Sequence, residues 1–318
     1  MSTPVRTLLI IASSLIWAGS ITAEDAPTAT EGGGGTSSKP AWLSLVGSVG
    51  AGWDSNILLE PAVNPTSSDI SGAGLSADLK VGFRVLNRPE VGQRITLSVD
   101  GGIAVYPDNH EADLGRFGGA ISGTAKLGGF DPGIYAGAHR YWLDGETVAN
   151  TYGLNPYLAK IWTNHVGVLT LGANWLDYPE EEDRSGLLAT LEYRHWFLLA
   201  PRVVTRRIEV GLRGVDYSAD SDVESFIGVV PFAGALYRIG QGQRLGTVDV
   251  AGRVSYEWRN YSDADDTQGI ATLAASADLW VCRITAVGLF VVYTDRTSDL
   301  VANEYDRTQV GARATVQW

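Results

Sequence analysis

Lys80, Arg84, Arg116, Lys126, Arg140, Lys160, Arg194, Arg213, Arg253, Arg259 and Arg313 sit within otherwise apolar, alternating stretches of this sequence. Asp78, Asp100, Glu192, Glu209, Asp249 and Glu257 accompany them. On an extended chain, residues spaced by two share one face. Two chemistries suit such a face. Opposite charges on neighbouring strands pair and tie a wall together. Charges that line a hydrated bore instead set which ions pass, and a local excess of Lys and Arg favours anionic solutes.

Other reactive groups are sparse. The four histidines are His110 in a polar break, His139 and His195 in different apolar stretches, and His165 in a turn. His195 alternates with Arg194 and Trp196, which puts it on the face away from the charges. No G-x-S-x-G occurs, and Asp54-Ser55-Asn56 has no histidine near it in sequence, so catalysis is not expected. The single cysteine, Cys282, rules out an intrachain disulfide and a cysteine metal site. Acidic runs at 180–183, 220–224 and 263–266 offer oxygen ligands to divalent cations. None has the spacing of a twelve-residue calcium loop, and a solvated acidic rim accounts for them. No metal or cofactor is expected. A formal charge of −12 argues against nucleic acid as a partner, because phosphate affinity needs clustered cations.

The elements that must position these groups repeat about every twenty residues from Trp42 to Trp318, each an alternating segment followed by a polar break. Fourteen such segments cover roughly 42–57, 71–86, 94–107, 114–127, 132–143, 152–163, 166–178, 186–198, 206–218, 225–238, 246–260, 269–282, 285–296 and 304–318. In the second, Leu75, Ala77, Leu79, Val81, Phe83 and Val85 share one face, and Ser76, Asp78, Lys80, Gly82 and Arg84 the other. A soluble sandwich would bury the apolar face in its core. Segments of this length instead match tilted strands that cross a bilayer, with Trp53, Trp175, Tyr193, Phe197, Tyr256 and Trp258 near their ends as interfacial girdles. The breaks point the same way. Odd-numbered breaks, such as "DGETVANT", "DYPEEEDRS" and "SDADDT", read as long and acidic, and even-numbered ones, such as "TNHV" and "GQGQR", as shorter and basic or uncharged. That parity is expected of an up-and-down barrel with long loops outside and short turns inside. An even strand number then puts both termini on the periplasmic side.

The N-terminus, with Arg6, an apolar stretch from Leu8 to Ala18 and the small residues of "SITA", reads as a signal peptide over 1–23. Residues 24–41, rich in Gly, Ser and Thr, read as a flexible linker before a barrel over 42–318. The last residues, "RTQVGARATVQW", place Val316 and Ala314 on an apolar stripe and finish on Trp318. This ending resembles the terminal strand of Gram-negative outer-membrane β-barrel proteins, which the barrel-assembly machinery recognises. The resemblance implies that Trp318, Val316 and Ala314 carry an assembly signal. The stretches "GSVGAGWDSNILLEP" and "YDRTQVGARATVQW" are also similar to the barrel domains of surface lipoprotein assembly modifiers and polysaccharide-export barrels, which usually carry a tetratricopeptide region before the barrel, where this sequence is expected to have the linker 24–41.

These readings converge on an all-β, antiparallel transmembrane barrel in the outer membrane that acts without catalysis as a diffusion channel or export conduit. A non-conducting surface adhesin or anchor, using its acidic loops, is the alternative. The expected partners are outer-membrane lipid, lipopolysaccharide, the barrel-assembly machinery and, for a conduit, periplasmic secretion components.

Overall fold

A computed structural model describes residues 42–57, 71–88, 92–201, 203–240, 244–262, 266–300 and 304–318. The signal-peptide and linker readings, 1–23 and 24–41, lie outside them. The described residues form fourteen strands: β1 (Leu43–Asp54), β2 (Gly72–Arg88), β3 (Gln93–Val105), β4 (Leu114–Thr124), β5 (Asp131–Leu143), β6 (Glu146–Ile161), β7 (His165–Asp177), β8 (Gly186–Leu198), β9 (Arg206–Ala219), β10 (Phe226–Ile239), β11 (Val248–Tyr261), β12 (Thr267–Trp280), β13 (Thr285–Ser298) and β14 (Tyr305–Gln317). Each pairs antiparallel with the next, and β14 pairs with β1, so the sheet closes into an up-and-down barrel with no free edge.

Most strand limits fall within a few residues of the sequence pattern. The fifth break is the exception. The acidic stretch "DGETVANT" is not a long loop, because Asp144-Gly145 forms a two-residue turn with φ of 48° and 81°, and β6 starts at Glu146. Positive φ at both central residues is the signature of the Asp-Gly hairpin whose twist matches the flanking strands. The breaks 106–113, 178–185 and 220–225 are likewise compact, each holding a short 3-10 turn. Length therefore distinguishes the two ends of the barrel less than charge does. At the end opposite the termini every break carries a carboxylate, and Arg184 is the sole Lys or Arg there. The breaks at the terminal end hold Lys126, Arg202, Arg244 and Arg283 against Glu90.

Exposure alternates along the strands in the sense opposite to that of a soluble protein. On β13, Val287, Leu289, Val291 and Tyr293 are exposed, whereas Val292, Thr294 and Arg296 are buried. Leu75, Leu79, Val99, Leu171, Leu191 and Val254 continue this outward apolar belt around the wall. The outward rings fall at two levels. Trp53, Phe117, Tyr152, Trp175, Tyr256, Trp258 and Tyr293 lie toward the acidic end, and Trp42, Phe83, Phe130, Trp162, Tyr193, Phe197 and Tyr237 toward the terminal end. An apolar belt between two aromatic girdles matches a bilayer's hydrocarbon layer between its interfaces.

Two strands carry an interior proline. The β6–β7 pairing skips Asn155 and Pro156, and the β10–β11 pairing skips Val230 and Pro231. Proline has no N–H to donate to the ladder.

Candidate functional site

The residues opposite the apolar belt face a charged lumen whose two sides differ. Along β1–β4 the inward positions are often glycine, among them Gly50, Gly74, Gly82, Gly102 and Gly118. At Gly102 a Cβ would collide with the Asp78 carboxylate, and at Gly118 with the His139 ring. Those glycines let the side chains lie flat against the wall. Arg116 reaches Asp78 at 3.1 Å, and His139 Nε2 lies 3.1 Å from Asp100. Lys80 stands opposite Asp100 in the β2–β3 register. Lys80 and Arg84 form no salt bridge among the described residues, and Arg84 Nε has no hydrogen-bond partner.

Long side chains cover the wall of β8–β12. Arg194 binds Glu192 at 2.7 Å, Arg253 binds Glu209 at 3.2 Å, and Trp196 Nε1 donates to Glu209 at 2.9 Å. Arg253 also lies 4.1 Å over the Phe232 ring, where the π face favours a cation. Arg259 binds Glu257 at 2.7 Å and stacks on Phe226. Arg213 shares this inward face two residues from Val215. Nearer the terminal end, Arg238 forks onto Asp249 at 2.6 and 2.7 Å, and Trp280 donates to the same carboxylate. Arg313 forks onto Asp278 at 3.0 and 2.7 Å. Each of these pairs joins residues on one strand or on strands no more than two apart. The charges are therefore bound along the wall rather than across the bore.

At the acidic end Arg307 of β14 donates to both Asp54 oxygens of β1, with a shortest distance of 2.5 Å, and Gln309 donates to the same carboxylate. Tyr106, just past β3, completes the group. Burial, reinforced by the Asp54 charge, pushes the Tyr106 phenol up to about 12, so it stays a neutral donor. The breaks above are laced to one another: Asp220 N–H donates to Ser185 O, Ser221 N–H to Asp183 O, and Ser262 N–H to Ser225 O. Arg184 bonds Glu181 at 2.6 Å beneath them. Burial disfavours its cation, but Glu181 and Glu224 more than offset this and raise its pKa.

Of the charged residues expected to line the lumen, Lys80, Arg84, Asp100, Arg116, Glu192, Arg194, Glu209, Arg213, Arg253, Glu257, Arg259 and Arg313 occupy inward positions. Three do not. Arg140 shares the outward face of β5 with Ile134 and Ala138, where Nε donates to Asn150. Lys160 points outward from β6 on the same side as Leu154 and Leu158, between the Phe130 and Trp162 rings. Lys126 lies outside the strands, in the turn between β4 and β5. Both outward cations sit near strand ends, where a charge meets headgroups rather than hydrocarbon. Inward Arg238, Arg296, Arg307 and Asp278 were missed although the two-residue period includes them. The Asp54–Arg307 pair is separated by 253 residues and becomes visible only when the barrel closes.

Among the described residues no group of three or more His, Cys, Asp and Glu is placed to hold a metal ion. The closed fourteen-strand wall, the outward belt between its girdles and the charged interior define an outer-membrane-type β-barrel. The fold is shared by a bacterial polysaccharide outer membrane secretin, with a TM-score of 0.50 and 9% identity over 88% of this chain and 100% of that one. The outer-membrane-expressed OmpT of Vibrio cholerae also gives a TM-score of 0.50, with 7% identity over 87% and 97% of the two chains. An anion-selective porin from Comamonas acidovorans aligns at a TM-score of 0.48 and 10% identity, covering 87% and 98%. No protein-family model matches the sequence, and no curated protein matches it.

Proposed function

We propose that this chain is a non-enzymatic channel of the bacterial outer membrane that passes small solutes, with a preference for anions. One observation carries the reading: the lumen's ion pairs run along the wall, while Lys80 and Arg84 project from the thin, glycine-rich side without a salt-bridge partner among the described residues. Cations held outside salt bridges beside a narrow hydrated path raise the local anion concentration. In a planar bilayer the protein is expected to show conductance steps and an anion-selective reversal potential. Lys80→Glu with Arg84→Glu should move that potential toward cations, by less at high salt, where screening shortens the reach of each charge. Steps with unchanged selectivity would remove these residues from the path. No steps at all would favour the surface-anchor alternative.

The fold shared with a polysaccharide secretin supports a second reading, an export conduit. Liposome swelling separates the two: a diffusion channel admits mono- and disaccharides, and a conduit also admits long oligosaccharides.

In this reading the acidic end faces outward and both termini face the periplasm. Cys282, in the break between β12 and β13, is the native probe. A membrane-impermeant maleimide is expected to leave it unlabelled on intact cells and to label it after permeabilisation. With Cys282→Ser, Glu182→Cys should label on intact cells. The reverse pattern would invert the topology.

A further inference from the structure

Two histidines that lie far apart in sequence meet on the outer wall. His165 opens β7, and His195 lies near the end of β8. The register sets His165 opposite Phe197 and His195 opposite Gly167, so the two imidazoles are diagonal neighbours on one face. His165 Nδ1 stands 3.5 Å from His195 Nε2, with the rings tilted by 47°. That separation is at the outer limit for a hydrogen bond. It is close to another value. Two nitrogens bound to one ion at about 2.0–2.1 Å with a tetrahedral angle lie roughly 3.4 Å apart.

The surroundings hold this geometry. The Tyr193 hydroxyl lies 2.9 Å from His195 Nδ1. If Nδ1 carries the proton and donates to Tyr193, the Nε2 lone pair is left facing His165, as a partner to the non-ligating nitrogen does in metal sites. Phe197 packs edge-on against the His165 ring and beside His195, fixing both planes. Trp162 closes the other flank, with its ring 6.4 Å from that of His195. Lys160, outward on β6, lies over the Phe130 and Trp162 rings. The pair lies in the terminal-end girdle, where water and lipid phosphates are available to complete a coordination shell.

We propose that His165 and His195 together bind one borderline divalent transition-metal ion, of the Zn²⁺, Cu²⁺ or Ni²⁺ class, at the membrane interface. Two neutral imidazoles select such ions over Ca²⁺ and Mg²⁺, which need oxygen ligands. Tyr193 is a positioning residue, and water or a headgroup phosphate fills the open positions.

The test uses tag-free, full-length protein in detergent micelles, titrated with Cu²⁺ in excess Ca²⁺ and followed by electron paramagnetic resonance. One equivalent of Cu²⁺ is expected to bind with a splitting pattern from two imidazole nitrogens. His195→Asn and His165→Ala should each weaken binding at least tenfold, and Tyr193→Phe severalfold, while His139→Asn and His110→Asn leave it unchanged. His165 is exposed, so its variant keeps the test open if His195→Asn does not fold. Absence of a stoichiometric site, or binding that survives both substitutions in folded protein, overturns the proposal. Binding lost with His110→Asn would place the ion in the acidic breaks and overturn it equally.

Discussion

Arg307→Ala is expected to destabilise the folded barrel by about 3–5 kcal/mol, the usual cost of leaving a buried ion without its partner. Asp54 and Arg307 are 3% and 4% exposed, and they join β1 to β14, the two strands that close the sheet. Without the guanidinium, the Asp54 carboxylate keeps Tyr106, Gln309 and the Asn56 N–H as partners. Unfolding in urea, followed by the gel shift between folded and heat-denatured barrel, would report the change as a lower midpoint. The paired replacement Asp54→Leu with Arg307→Met should recover most of the loss, because it removes both charges. A single variant within about 1 kcal/mol of the native chain would show that the seam does not depend on this pair.

Trp318→Asp is expected to abolish accumulation of folded barrel in cells. The backbone of Trp318 already belongs to the seam: its N–H donates to Leu45 O and its carbonyl accepts from Leu45 N–H, both at 2.8 Å. Its position continues the outward stripe of Ala312, Ala314 and Val316 on β14. A carboxylate there meets the bilayer interface, and also the surface that the assembly machinery would grip if the resemblance of the last strand is functional. Trp318→Phe separates the two contributions, because it keeps an aromatic ring at the girdle. Normal folded levels of Trp318→Asp would show that neither contribution operates at this position.

The two-residue period was enough to read the strands, because a wall with lipid on one side and a polar bore on the other imposes it on every segment. The same parity puts Arg140 with Ile134 and Ala138, and Lys160 with Leu154 and Leu158. Taking charge alone as the mark of the lumen misplaced both, since the interface tolerates an outward cation that the belt would not. The Asp144-Gly145 turn was legible as a hairpin signal, but the acids around it suggested a loop instead. What sequence spacing hides is side-chain contact between strands. Asp54 meets Arg307, and His165 meets His195, through registers that exist only once neighbouring strands have paired.

The skipped pairs at Pro156 and Pro231 give the wall two lines of compliance. They fall between β6 and β7 and between β10 and β11, so they mark off the arc β7–β10 from the rest of the cylinder. That arc holds Glu192, Arg194 and Glu209, and its salt bridge from Glu209 to Arg253 crosses the second line. Lateral pressure from the membrane would then fold the cross-section along these two lines rather than squeeze it evenly, and the bore would narrow as an ellipse. Hydrogen exchange would show it as early loss of protection at Leu171 and Tyr256, the residues facing Pro156 and Pro231, and Pro231→Val should slow the loss at Tyr256 alone.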